Sequence, residues 1–137
     1  MSYLLDTNII SEFRKEDRCN SGVKKWRKSV VPEETFLSVI VMGELRQGIE
    51  KLRVRDRAGA RKLDVWFSGI RAAYGHQILA VTSEICHVWG SNSFLWPLQT
   101  ADALIAATAM QHGLTLVTRN DHDFQRCGVD YINPFEA

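Results

Sequence analysis

The sequence predicts an α/β fold built on a mainly parallel central sheet, on three observations. Short apolar runs recur along the chain, at Tyr3–Leu5, 35–37, 78–80, 114–117 and Tyr131–Ile132. Longer segments with helical spacing separate most of them, and strand-like runs alternating with helix-like ones make βαβ units, whose strands run parallel. Finally, 137 residues with 45% hydrophobic content can bury one core, so residues 1–137 read as one domain.

The elements follow in order. The chain opens MSYLLDTNIISE, where Tyr3–Leu5 forms the first strand and Asp6 stands at its end. Asn8 suits the N-cap of a helix beginning at Ile9 and explains that cap better than Asp6 does. After the strand at 35–37, residues 39–52 are helical, with Val41, Leu45, Ile49 and Leu52 on one face. A second helix spans 56–74, with Leu63, Phe67, Ile70 and Tyr74 as its stripe. Residues 82–94 follow the strand at 78–80 as a helix capped by Thr82 or Ser83. Pro97 separates it from a helix at 100–112, which Thr100 can cap and Gly113 can end. The strand at 114–117 leads into a polar loop, and Tyr131–Ile132 is the last strand.

Composition excludes several classes. A net charge of +1 leaves any polyanion site to a local patch. Cys19, Cys86 and Cys127 are odd in number and far apart, which fits a reduced intracellular protein and neither a disulfide scaffold nor a zinc site. The N-terminus has no basic segment leading into a long apolar one, and no run approaches the roughly 18 apolar residues of a membrane span. A soluble, cytoplasmic protein with no membrane contact is expected.

Four places carry acids that need explaining. Asp6 follows the first strand, and ligands of open α/β sheets bind just beyond the carboxyl ends of strands. Asp102 is the only charged side chain in TADALIAATAMQH, a helix apolar nearly all round and therefore buried. A lone buried carboxylate costs several kcal/mol, of which the helix dipole returns roughly 0.3–1 kcal/mol. Glu44 interrupts the apolar start of SVIVMGELRQGI, where an exposed position on an amphipathic face is the ordinary alternative. Asp121 and Asp123 lie in LVTRNDHDF after the fourth strand, where Asn and Asp also simply make turns. Right-handed crossovers can bring all four places to one sheet edge. Carboxylates about 4 Å apart repel by about 4 kcal/mol at an effective dielectric near 20, so such a cluster calls for a cation. All-oxygen ligands select a hard ion, Mg²⁺ or Mn²⁺.

LLDTNIISE, SVIVMGELRQGI, TADALIAATA and LVTRNDHDF, in that order, resemble the four signature segments of PIN-domain ribonucleases. Within them the chain is similar to the VapC toxins of bacterial toxin–antitoxin pairs, in the FitB-like, plasmid-stability branch. The resemblance implies a three-layer α/β/α sandwich with four to five strands and a Mg²⁺-dependent endoribonuclease. It maps the acids to Asp6, Glu44, Asp102 and a carboxylate of the last loop. Asp121 is the choice there, with Asn120 and Asp123 as alternatives. Asp6 and Asp102 would hold the metal, while Thr7, Asn8, Thr118 and Asn120 would support them. The partners implied are an RNA substrate, tRNA among the candidates, a VapB-like antitoxin lying beside helix 39–52, and a second copy of the chain. A non-catalytic PIN-like module that binds RNA or a partner is the alternative.

Other features weigh less. His122 could serve a metal-free ribonuclease, but one histidine without a partner is a weak constellation. The basic clusters Lys24-Lys25-Arg27-Lys28 and 51–62 are solvated helix faces or contacts to RNA phosphates. Arg119 and Arg46 are candidates to touch substrate. The segment 89–98 has more apolar bulk than a connection needs and suggests a subunit interface.

Overall fold

The computed structural model describes residues 1–136. The elements run β1 (Tyr3–Leu5), α1 (Thr7–Phe13), α2 (Ser21–Ser29), β2 (Thr35–Ser38), α3 (Val39–Arg53), α4 (Arg57–Tyr74), β3 (Ile78–Leu79), α5 (Ser83–Asn92), α6 (Thr100–His112), β4 (Thr115–Val117), α7 (Asp121–Gln125) and β5 (Tyr131–Ile132). Short 3-10 turns join several of them, among them Ser93–Leu95 and Pro134–Glu136. All strands are parallel, in the order β3-β2-β1-β4-β5, and helices flank them in the expected α/β/α arrangement.

That order places the site. The chain steps outward from β1 through β2 to β3, then returns to the other side of β1 for β4 and β5. The direction of travel therefore reverses between β1 and β4, and a crevice opens at the carboxyl ends of strands flanking such a switch. Tyr3, Leu4 and Leu5 pair with Thr115, Leu116 and Val117, so Asp6 and Thr118 leave the sheet side by side. The Asp6 N–H donates to the Val117 carbonyl at 2.9 Å, which carries the register past the last paired residue.

The core explains the rigidity of that edge. Leu4, Leu5, Leu116 and Val117 are fully buried, as short parallel strands covered on both faces should be. Ile9 and Ile10 of α1, Val41 and Ile49 of α3, and Ile105 and Ala106 of α6 close over them. Helix α6 buries Ala103, Ile105, Ala106, Ala107, Thr108 and Ala109, as its all-round apolar sequence requires. Gly113 ends it at φ 65°, the left-handed conformation that glycine adopts without steric cost.

Three boundaries differ from the sequence reading. Helix α1 begins at Thr7, and its cap is Asp6 rather than Asn8, because the Asp6 carboxylate accepts the Thr7 N–H at 2.8 Å. In α6 the Ala103 N–H bonds to the Gln99 carbonyl, so the ladder starts one residue early and Thr100 is inside the helix. The loop after β4 closes into α7, anchored by fully buried Phe124. Helix α2 carries the basic cluster Lys24 to Lys28, for which the sequence reading gave no bounds; Asn20 caps it by accepting the Gly22 and Val23 N–H groups.

Candidate active site

Asp6 is the organising residue. It is 5% exposed and accepts three donors: the Thr7 N–H on Oδ1 at 2.8 Å, the Thr118 hydroxyl on Oδ2 at 2.8 Å, and the Asn8 amide on Oδ2 at 3.3 Å. The Thr118 bond joins residues 112 apart and clamps the ends of β1 and β4 together. A carboxylate has about four acceptor positions, so Oδ1 retains capacity for one more partner. Burial is the strongest influence on Asp6 and pushes its carboxyl up, with the Glu44 charge adding to it; the bonds from Thr118, Thr7 and Asn8 oppose this.

The supporting residues form a continuous set. Fully buried Thr118 donates to Asp6 and accepts the Asn120 N–H at 2.9 Å. The Asn8 side chain donates to Asp6 and accepts the Arg119 N–H at 3.0 Å. The Thr7 hydroxyl donates to Glu44 Oε1 at 2.5 Å and so ties the start of α1 to α3. Thr7, Asn8, Thr118 and Asn120 thus connect either to an acid or to a residue that touches one.

Asp102 stands in the first turn of α6 and is partly buried. Its carboxyl is pushed up from an ordinary 3.8 to about 6, first by burial and then by the charges of Asp6, Glu44 and Asp123. A helix N-terminus ordinarily favours an ionised carboxylate. Desolvation and like charge push the other way here and raise the carboxyl.

The late carboxylate acting on Asp102 is Asp123. Asp121, the sequence choice for that position, is not among the charges acting on it. Both acids lie in the first turn of α7. Residues two apart on a helix point about 200° away from one another, so only one of them can face the site.

The acids sense one another without closing into a cage. Among the described residues, no three His, Cys, Asp or Glu side chains stand close enough to grip one ion directly. The donor set still suits a hydrated hard cation. Mg²⁺ keeps several waters and takes only one or two carboxylates from protein, and every acid here offers oxygen. Asp6 and Asp102 are the two whose carboxyls are raised, first by burial and then by like charge, and a cation would relieve the second of these.

A family model for the PIN domain matches residues 3–129. The chain belongs to the PIN-domain family. Within it, this PIN domain is of the VapC type and the FitB-like branch. It is 31% identical over 138 residues to Toxin FitB of Neisseria gonorrhoeae, covering 96% of this chain and 97% of FitB. It is 29% identical over 138 residues to VapC ribonuclease Y4jK of Sinorhizobium fredii, covering 97% of each. It is also similar to a chain in a solved structure of FitAB bound to an IR36 DNA fragment, with TM-score 0.86 and 29% identity, covering 97% of this chain and 95% of that one.

Arg46, considered above for substrate contact, is engaged elsewhere in this PIN domain. It bonds Glu50 and Asp64 at 2.9 Å each and lies over the Phe67 ring at 4.5 Å. Arg53 reaches the same two acids, so these residues tie α3 to α4. The residue that sequence reasoning passed over is Asn133. It donates to the Arg119 carbonyl and accepts the Phe135 N–H, which fixes the chain beside the acids. Its only sequence signal was Asn-Pro after the last strand, a common turn start.

Proposed function

We propose that this chain is a Mg²⁺-dependent endoribonuclease toxin of a VapBC-type pair, with residues 1–137 acting as one PIN domain. The observation that carries the reading is the buried Asp6 clamped to Thr118 at the β1–β4 switch, with an Asp102 whose carboxyl is raised to about 6 by burial and then by the charges of Asp6, Glu44 and Asp123. The VapC ribonuclease relative supports the activity, and no described helix is long and apolar enough to cross a membrane. A cytoplasmic site of action follows from the proposed RNA target.

In this reading Asp6 and Asp102 would hold Mg²⁺ or Mn²⁺. When bound, such an ion polarises a phosphate and makes nearby water more acidic. Glu44 and Asp123 fill the third and fourth acidic positions, with Asp121 displaced from that role. Thr7 keeps Glu44 turned toward the crevice, while Thr118 and Asn8 hold the Asp6 carboxylate in one orientation. Water adds to phosphorus, the bond to the 3′ oxygen breaks, and that oxygen takes a proton. Products carry 5′-phosphate and 3′-hydroxyl ends. A tRNA is the RNA class to try first.

Two partners complete the proposal. A groove of about 390 Å³ between α1, α3 and α4 has Leu45, Ile49 and Trp66 in its wall and Thr7, Glu44 and Arg14 at its edge. It suits an amphipathic antitoxin helix, whose arginine could neutralise the acids. Phe94 and Leu95 are 78% and 75% exposed after α5, and we assign them to a homodimer interface.

Cleavage mapping on total RNA tests the activity. Wild type should cut with Mg²⁺ and not with EDTA, and Asp102→Asn should not cut. Cutting that persists in EDTA and in Asp102→Asn, or leaves 2′,3′-cyclic phosphate, defeats the mechanism.

A further inference from the structure

The basic residues of this chain are not equivalent. On α2, Lys24 pairs with Asp17 at 3.6 Å and Arg27 lies over the Phe13 ring at 4.2 Å. Lys25 and Lys28 form no ion pair among the described residues. Nor does Arg119, which is exposed immediately after Thr118. Its guanidinium lies over the Phe135 ring at 4.9 Å. Its backbone is held on both sides, with the N–H on Asn8 and the carbonyl on Asn133. A long cationic side chain usually loses rotamer freedom when it binds, and stacking on a ring removes much of that loss in advance.

The Arg119 charge acts on Glu12 and is not among those acting on Asp6 or Asp102. Its backbone follows Thr118 and is joined to Asp6 through Asn8, so Arg119 stands beside the acid site and forms no ion pair with it among the described residues. Asn133, which bonds the Arg119 carbonyl, also lines a cleft of about 340 Å³ together with Lys25, Trp26, Ser29, Ile132 and Pro134. Arg119 and this cleft meet at Asn133 and the Pro134–Phe135 turn, so a cation without an ion pair among the described residues adjoins a cleft that holds another beside an indole. Single-stranded RNA is recognised by that combination, phosphates on cations and a base against an aromatic ring.

We propose that α2 and the Pro134–Glu136 turn form a track for single-stranded RNA leading away from the acids. Arg119, laid on Phe135, takes a phosphate next to the scissile one, and the Lys25–Trp26 cleft takes the following nucleotide. The proposal rests on the nuclease reading above. It assigns Arg119 and Lys25 to substrate positioning, where they touch RNA but not the reacting phosphate.

The test combines binding and kinetics on wild type, Arg119→Gln, Lys25→Gln, Phe135→Leu and, as a control on α4, Lys62→Gln. Binding of a short fluorescein-labelled single-stranded RNA of mixed sequence is measured in EDTA across a salt series, and cleavage is measured with Mg²⁺. Losing one phosphate contact should flatten the slope of log affinity against log salt by about 0.7 in each of Arg119→Gln and Lys25→Gln. Their KM should rise about tenfold, with kcat within about twofold of wild type. Phe135→Leu keeps the charge, so its KM should rise less and its slope should match wild type. Lys62→Gln should behave as wild type. Unchanged slope and KM in both Arg119→Gln and Lys25→Gln overturn the track, as does an equal effect in Lys62→Gln. RNA binding that is intact and sensitive to Arg119, without any cutting, would overturn the nuclease reading and leave the track standing. No RNA binding by wild type would overturn both.

Discussion

Replacing Asp102 with Asn should make the metal-free protein more stable while abolishing cutting. The magnitude follows from the site. At about 1.36 kcal/mol per pH unit, the gap between 3.8 and about 6 sets an upper limit of about 3 kcal/mol. Asp102 is partly open to water, so screening reduces this, and about 1.5 kcal/mol is the working figure. The sign follows from proton linkage. The folded carboxyl holds its proton more tightly than the unfolded one, so this stabilising contribution is complete below 3.8 and is lost as pH rises through about 6. At neutral pH wild type therefore carries an unrelieved charge that Asp102→Asn lacks. With an unfolding entropy of about 2.1 cal/mol/K per residue, 1.5 kcal/mol is about 5 °C for 137 residues. The assay is thermal unfolding in EDTA and in Mg²⁺, at neutral pH and near pH 4. In EDTA at neutral pH, Asp102→Asn should melt higher than wild type, and the difference should shrink toward pH 4. Mg²⁺ should raise wild type and leave the variant nearly unmoved, since a ligand stabilises only what binds it. A variant that melts lower than wild type in EDTA at neutral pH would refute the picture of crowded, unrelieved carboxylates.

Three further outcomes are expected. Thr118→Val leaves the Asn120 N–H without its acceptor and Asp6 Oδ2 with only the longer Asn8 bond, so it should cost about 1–3 kcal/mol by denaturant unfolding and lower the cutting rate roughly 10–100-fold. Asp123→Asn should reduce cutting at least about tenfold while Asp121→Asn stays near wild type, measured by initial rates on one RNA; the reverse ranking would return the fourth position to Asp121. Phe94→Ser combined with Leu95→Ser should shift a dimer to monomer in sedimentation at micromolar concentration, and an unchanged mass would remove that surface from the interface.

Much of this fold could be read in the order of residues. Strand positions came from short apolar runs, and helix faces came from period: Val41, Leu45 and Ile49 are buried on α3, and Phe67 is buried on α4. These signals are local, because burial on one face of a helix imposes its period on the sequence. The shorter helices were harder. Helix α7 reads as a polar turn because four of its five residues are polar, and only the burial of Phe124 reveals what holds it.

The sequence by itself determined that the chain is α/β and that Asp102 sits alone in an apolar helix. It also marked Asp6 as an acid at a strand's end. Those facts need only composition and spacing within a dozen residues. Tertiary structure decided that Asp6 caps α1 and is bonded by Thr118, and that Arg46 is tied to Glu50 and Asp64 while Arg119 forms no ion pair among the described residues. Each is a contact between elements, and its outcome depends on strand order and helix rotation. No local pattern carries those, because the two side chains of such a contact can be 112 positions apart and still share one hydrogen bond.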